Sequence, residues 1–280
     1  MYNIPYPSIN CQGKLLEFNT PKLMGILNVT PDSFYDGGQY LNETSILTRV
    51  EQMLCEGVDI IDVGAASSRP GAKILYAKQE IERLKPFIGS IIKTFPDSIL
   101  SVDTYHAEVA EFAFNEGTSI INDISGGEMD KTMFETIAKL QVPYMLMHMK
   151  GTPKTMQENT NYDHLLDEII YFFSKKTTQL HALGVNDIII DPGFGFAKTV
   201  EQNFELLKKL QAFTVFDLPI LIGVSRKSML YKFLDTDAKN ALNATSIAHL
   251  HALQNGANIL RVHDVKEAKE CIKLYEKLKL

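Results

Sequence analysis

Eight short apolar runs, rich in β-branched residues, alternate with helical spacing along nearly the whole chain, and no other feature restricts the fold as strongly. The runs are LMGILNV (23–29), DIIDVG (59–64), SILSVD (98–103), SIINDI (119–124), VPYMLMH (142–148), DIIIDPG (187–193), LPILIGVS (218–225) and NILRVHD (258–264). Each is a continuous apolar stretch, as expected of parallel strands buried on both faces. Between them apolar residues fall on helix faces: Ile46, Val50, Met53 and Leu54; Ile81, Leu84, Ile88 and Ile91; Met133, Ile137 and Leu140. Further on come Leu166, Ile169, Ile170 and Phe173, then Leu206, Leu207 and Leu210. Leu242, Ile247, Leu250 and Leu253 follow, and Val265, Ala268, Ile272 and Tyr275 close the series. Eight strand–helix pairs in 280 residues predict an α/β chain folded as one domain over 1–280, a closed (β/α)8 TIM barrel. An open doubly wound sheet uses the same units, but its G-x-G-x-x-G loop is missing after the first strand. Ile9 to Phe18, turning at Gln12-Gly13, predicts a short N-terminal β-hairpin covering the bottom of the barrel.

Composition removes several function classes. Hydrophobic residues make up 45% and charged residues 22%, enough for a sizeable core. The net charge of −6 argues against a nucleic-acid partner, which calls for a basic face. Cys11, Cys55 and Cys271 are odd in number and far apart, which suits reduced thiols. The opening MYNIPYPSIN has no basic or apolar segment of a signal peptide, and no apolar run reaches the roughly 18 residues of a membrane span. A cytoplasmic protein with no membrane partner is expected.

The strand ends carry the chemistry. Asp62, Asp103, Asn122 with Asp123, and Asp191 close apolar runs, as do Asn28, His148, and Arg261 with His263. In a (β/α)8 barrel these ends converge at the mouth where active sites are built. A single Asp there could simply cap a following helix. Repetition over several strands, with polar residues inside the apolar runs, favours a ring of buried polar groups. Such groups demand hydrogen-bond donors, and without partners in the empty mouth they predict a donor-rich ligand such as a pteridine or purine ring. The cations Arg226, Lys227 and Arg261 follow the seventh strand and end the eighth, where barrels build phosphate sites. His249 and His251 are two apart on a helix and so point apart. There is no H-E-x-x-H, no G-x-S-x-G and no Walker loop, and GFGFAK (193–198) lacks the third glycine of a dinucleotide fingerprint.

Taken together, MGILNVTPDSFYDGG (24–38), DVGAASSRPGA (62–72), SVDT (101–104), IND (121–123), MHM (147–149), DPGFGF (191–196), SRKS (225–228) and RVHD (261–264) resemble the dihydropteroate synthase family, one motif per strand and in order. The resemblance implies a TIM barrel, usually dimeric, that joins 6-hydroxymethyl-7,8-dihydropterin pyrophosphate to p-aminobenzoate in folate biosynthesis and is the target of sulfonamides. It implies that Asp103, Asn122, Asp191 and Lys227 bind the pterin between Met147 and Arg261. Arg69, Arg261 and His263 would hold the pyrophosphate, and Asn28 would bind Mg²⁺, with Asp36 as a further candidate for that role. Phe34, Ser68, Pro70, Phe196 and Ser228 would shape the p-aminobenzoate pocket. The catalytic set it implies is Asp103, Lys227, Arg261 and His263, and Asp62 is expected to orient Arg261.

One departure stands out. The family's second loop usually reads D-V-G-G-E-S-T-R-P, and here Ala65 and Ala66 replace Gly and Glu while Ser68 replaces Thr. Two other readings remain open at this stage: a corrinoid-linked methyltransferase with a pterin-binding barrel, and a non-catalytic pterin-binding paralogue.

Overall fold

The structure, a computed structural model, describes residues 7–29, 43–66 and 75–278. All eight predicted strands form, as β3 (Lys22–Asn28), β4 (Ile60–Gly64), β5 (Ile99–Asp103), β6 (Ile120–Asp123), β7 (Tyr144–Met147), β8 (Ile188–Asp191), β9 (Leu221–Ile222) and β10 (Ile259–Val262). They pair in the order β8-β7-β6-β5-β4-β3-β10-β9. A parallel bridge between Ile190 and Ile220 joins the two edge strands and closes the barrel.

Alternation along the strands separates two cores. One set of side chains, including Leu23, Leu27, Ile61, Val63, Leu100, Val102, Ile121, Leu146, Ile190 and Leu260, packs outward against the helices. The opposite set lines the interior: Met24, Ile60, Ile99, Ile120, Met145, Ile189, Leu221 and Ile259 make an apolar floor. The predicted hairpin, β1 (Ser8–Cys11) with β2 (Lys14–Glu17), presents Ile9, Cys11, Leu16 and Phe18 to that floor. Burying each of the large ones contributes about 1.5–3 kcal/mol, which is why a short hairpin stays docked. Its turn puts Gln12 and Gly13 at positive φ, and the Asn10 side chain accepts from the Gly13 N–H at 2.7 Å.

The helices are α1 (Glu43–Glu56), α2 (Ala77–Thr94), α3 (Ala107–Asn115), α4 (Met133–Leu140), α5 (Leu165–Ala182), α6 (Val200–Lys208), α7 (Ser228–Phe233), α8 (Leu242–Gln254) and α9 (Val265–Leu278). Periodicity left two of them unread. The buried face of α3 is Ala107, Val109, Ala110 and Ala113, too small to mark an apolar stripe. The short α7 is an addition between β9 and α8.

The face expected of α8 is corrected. Its buried residues are Thr245, Ala248, His249, Ala252 and Leu253, whereas Ile247 is 63% exposed. Small side chains let α8 lie close to its neighbours, so its larger apolar residues turn outward.

Candidate active site

The strand-ending acids are inward-facing positions stacked above the floor. Two residues beyond Ile60, Ile99, Ile120, Met145, Ile189 and Ile259 stand Asp62, Ser101, Asn122, Met147, Asp191 and Arg261, on the same strand faces because side chains alternate. Asp103 and Asn28 form a further tier on either side of Gly64. A Cβ at Gly64 would lie 3.5 Å from that of Asp103 and 3.6 Å from Asn28 Oδ1.

Arg261 organises the middle tier. Its Nε donates to Asp62 Oδ2 at 2.7 Å and its Nη2 to Asp103 Oδ2 at 2.8 Å. Asn122 Nδ2 also donates to Asp62 Oδ2, at 3.1 Å. The expectation of acids without partners therefore needs correcting: two of them already share one guanidinium. Asp62 is fully buried and holds both Arg261 and Asn122, the orienting role favoured for it. Among the described residues its Oδ1 has no partner. Burial pushes Asp103 up to about 7 against the pull of Arg261, with Asp62 adding to the rise. Burial also raises the Asp191 pKa, opposed by the Gly193 N–H and by Lys227 and Arg261. Desolvated carboxylates of this kind gain most from a ligand that donates hydrogen bonds.

Three polar strand ends lie elsewhere. Asp123 faces away from the mouth, accepting from Tyr144 Oη at 2.6 Å and from the Ser125 and Gly127 N–H groups. It ties down a turn, as the capping alternative supposed. Arg226 is fully engaged by the Asp264 carboxylate and by the Ala238 and Lys239 carbonyls, so it cannot serve an anion. His148 is buried against Phe172, with ring centroids 4.9 Å apart. A one-residue step along a strand reverses a side chain, so residue types at the strand ends did not separate Asn122 from Asp123 or Met147 from His148, and only the motif resemblance chose Asn122 and Met147.

The other side of the mouth is built by the segment after β8. Asp191 Oδ1 accepts from the Gly193 N–H at 2.8 Å. Gly193 has φ +72°, and a Cβ there would come 2.1 Å from the His148 carbonyl oxygen, so only glycine fits. Phe196 packs with Met147, Met149, Met156 and Tyr105 in an apolar cluster separate from both cores. The Lys227 ammonium stands 4.3 Å from the centre of the Phe196 ring, and Ser228 follows as the first residue of α7. Burial, and then Arg261, lower Lys227 to about 8. His263, exposed at the rim, has its Nδ1 3.1 Å from Ser225 Oγ. Desolvation, and then Arg261, push its pKa below the ordinary imidazole value, an effect that the exposure of the ring tempers. Among the residues read from sequence, Asn28, Asp103, Asn122, Met147, Asp191, Phe196, Lys227, Ser228, Arg261 and His263 are thus placed at the mouth. Phe34, Asp36, Ser68, Arg69 and Pro70 lie outside the described residues.

Two groups went unrecognised in the sequence. Lys198 is buried behind Phe196, and Glu80 on α2 is fully buried, its pKa pushed up to about 8 by burial with Thr104 as a side-chain neighbour that opposes the rise. A lysine after Ala197 and a glutamate inside a helix ordinarily read as solvent-facing, so no signal marked them.

The altered second loop begins on a firm base. Ala65 is fully buried, and Arg83 of α2 donates to its carbonyl at 3.1 Å. A Glu at position 66 would add about one hydrogen bond next to the anchored Ala65, worth about 1 kcal/mol. Ala66→Glu is therefore expected to change kcat or the p-aminobenzoate KM by less than about tenfold. Steady-state kinetics that show an inert native chain revived by this substitution would contradict the expectation.

A parallel barrel with a desolvated acid–amide–arginine tier at its mouth is the architecture of an enzyme that recognises a flat, donor-rich heterocycle. Residues 24–263 match the family of pterin binding enzymes, and the chain belongs to it. It is 39% identical to the dihydropteroate synthase of Haemophilus influenzae over 94% of this chain and 96% of that one. The crystal structure of the Yersinia pestis dihydropteroate synthase with a sulfonamide drug complex superposes with a TM-score of 0.92 at 38% identity, covering 98% and 99% of the two chains. The Xanthomonas albilineans dihydropteroate synthase with 4-aminobenzoic acid gives a TM-score of 0.91 at 32% identity, covering 98% of each chain. The dihydropteroate synthases are therefore its branch of the family, and the chain is a transferase.

Proposed function

We propose that this chain condenses 6-hydroxymethyl-7,8-dihydropterin pyrophosphate with p-aminobenzoate, giving 7,8-dihydropteroate and pyrophosphate. The observation that carries the reading is the tier in which Asp62 fixes Arg261 and Asn122 while Asp103 and Asp191 keep lone pairs for a ligand. Asp103, Asn122 and Asp191 take the pterin's N–H and amino groups, and Lys227 donates to a ring acceptor. Met147 and the guanidinium plane of Arg261 cover the two faces of the ring.

Reaction begins as the C–O bond between the methylene carbon and the pyrophosphate breaks, the electron pair leaving with oxygen. The electron-rich dihydropterin spreads the positive charge left on carbon, and Asp103 and Asp191 stabilise it. Arg261 and His263 take the charge growing on the leaving group, the preorganised electrostatic effect that is often the largest in catalysis. His263 gains basicity beside that anion. The neutral aniline nitrogen then forms the C–N bond and releases its proton. Phe196 and Ser228 form the described part of the p-aminobenzoate pocket, and sulfonamides that mimic this substrate compete there.

Asn28 fits a magnesium ion. Its carboxamide is exposed at the mouth beside Asp103, and a single protein oxygen completed by phosphate oxygens and water suits this hard cation. When bound, Mg²⁺ would offset charge on the pyrophosphate. Product formation should cease when a chelator removes Mg²⁺ and return when the ion is restored; undiminished turnover in the chelator would remove Asn28 from this role.

Lys227 makes pterin binding pH-dependent. Its pKa in the fold, about 8, lies below the ordinary lysine value, so the ammonium is lost as pH rises through about 8. Pterin affinity should fall over that range in calorimetry, and Lys227→Arg should move the decline upward. A profile unchanged by the substitution would argue against a Lys227 contact.

We place the enzyme in the cytoplasm as a homodimer. The three cysteines are free thiols, and among the described residues no helix is long and apolar enough to cross a membrane. The outward residues of α8 and α9, including Leu242, Ile247, Leu250 and Leu274, line a groove of about 450 Å³ suited to a second copy.

A further inference from the structure

Behind the mouth, one ammonium holds the segment after β8 in its bent course. Lys198 is 3% exposed. Its Nζ donates to His148 Nδ1 at 3.1 Å, to the Gly193 carbonyl at 3.0 Å and to the Phe196 carbonyl at 3.0 Å. These acceptors use all of its protons, and none is a carboxylate. An ammonium only donates, so His148 must present a lone pair at Nδ1 and carry its own proton at Nε2. Burial, and then Lys198, lower the His148 pKa and keep the ring neutral. Gly193, Gly195 and Ala197 all have positive φ, which lets carbonyls three residues apart converge on one nitrogen. Neighbouring contacts complete the brace: Asn203 Oδ1 accepts from the Gly195 N–H at 2.7 Å, and Tyr162 Oη donates to the Ala197 carbonyl at 3.0 Å.

We propose that Lys198 is a positioning residue for the transfer reaction: its ammonium, clamped between His148 and the Gly193 and Phe196 carbonyls, sets the Phe196 ring that p-aminobenzoate meets. This rests on the assignment of Phe196 to the p-aminobenzoate pocket. Lys198 touches no substrate. Asp191, at the start of the same segment, is placed by β8 itself and borders the clamp only through the Gly193 N–H, so the clamp acts mainly on the second substrate.

The ammonium has few allies. Asp191 on β8 favours its charge, while Lys227 after β9 and Lys150 after β7 oppose it, and the facing His148 is neutral. Burial is the largest influence and brings Lys198 down to about 7. A neutral amine has two protons for three acceptors, so deprotonation frees one carbonyl or the imidazole and loosens the segment.

The test is steady-state kinetics of the native enzyme and Lys198→Met at saturating pterin pyrophosphate across pH, with pterin affinity measured by calorimetry. Methionine keeps the unbranched apolar stem, one atom shorter, and removes the donors. In the native enzyme the p-aminobenzoate KM should rise as pH climbs past about 7. In Lys198→Met it should be about tenfold higher at low pH and lose that dependence, while pterin affinity changes less than about threefold. Equal losses for both substrates, or an unaltered pH profile in the variant, would overturn the proposal. If Lys198→Met does not fold, the native profile decides: a p-aminobenzoate KM flat from pH 6 to about 9 contradicts the clamp, and a rise that sets in near 7, ahead of the fall in pterin affinity near 8, supports it. A native enzyme that makes no dihydropteroate defeats the functional assignment itself, whereas a native enzyme matched by Lys198→Met defeats only this inference.

Discussion

Arg261→Ala is expected to lower kcat/KM for the pterin pyrophosphate by about 10²–10³, the usual cost of removing a preorganised group that meets developing charge. The same substitution should destabilise the fold by about 3–5 kcal/mol, because it strips the two buried acids of the guanidinium they share and leaves Asp62 only the neutral Asn122 amide. Arg261 touches both Asp62 and Asp103, at 2.7 and 2.8 Å, and Asp62 is fully buried. Arg261→Lys should recover more stability than activity, since one ammonium lacks the planar fork that reaches both carboxylates while covering the ring. Binding separates the two roles. The loss should be much larger for the pyrophosphate ester than for the pterin without phosphate. Equal losses would mean that Arg261 serves the ring or the fold alone.

Asp191→Asn and Asp103→Asn should each weaken pterin binding by about 2 kcal/mol, roughly 30-fold, as a charge-assisted contact in a desolvated pocket becomes a neutral one. Asp191 is the cleaner case. Asparagine keeps the Oδ1 that accepts from the Gly193 N–H, so the segment after β8 should hold its course. In Asp103→Asn the link to Arg261 is weakened as well, and some catalytic loss should accompany the binding loss. Unchanged pterin affinity in both variants by calorimetry would show that these acids are local structural groups, as Asp123 is.

The barrel could be read from the sequence because strands buried on both faces leave continuous apolar runs, and all eight were found. The helices were less plain where burial uses small residues. The alanine face of α3 gave no stripe, and α8 turned Ile247 out because Thr245, Ala248 and Ala252 face in. At the site, residue types at strand ends marked Asp62, Asp103, Asn122 with Asp123, Asp191 and Arg261 as candidates, and the choice of Asn122 and Lys227 came from the motif resemblance. They did not reveal that Asp62 and Asp103 share one guanidinium, which depends on registry across β4, β5 and β10. Nor did they separate Arg226, committed to Asp264, from Lys227 beside it, since a single residue decides which way a side chain points. Lys198 and Glu80 were hidden for a different reason. Buried ionisable groups on loops and helices have the same local sequence as exposed ones.

The central claim is that this mouth, with Ala66 in its second loop, performs the transfer and does more than bind pterin. Single turnover tests it most directly: excess enzyme, Mg²⁺, p-aminobenzoate and limiting 6-hydroxymethyl-7,8-dihydropterin pyrophosphate, with both products quantified. One dihydropteroate and one pyrophosphate should form for each pterin consumed. Pterin bound tightly with neither product formed, or pyrophosphate released without dihydropteroate, would contradict the account.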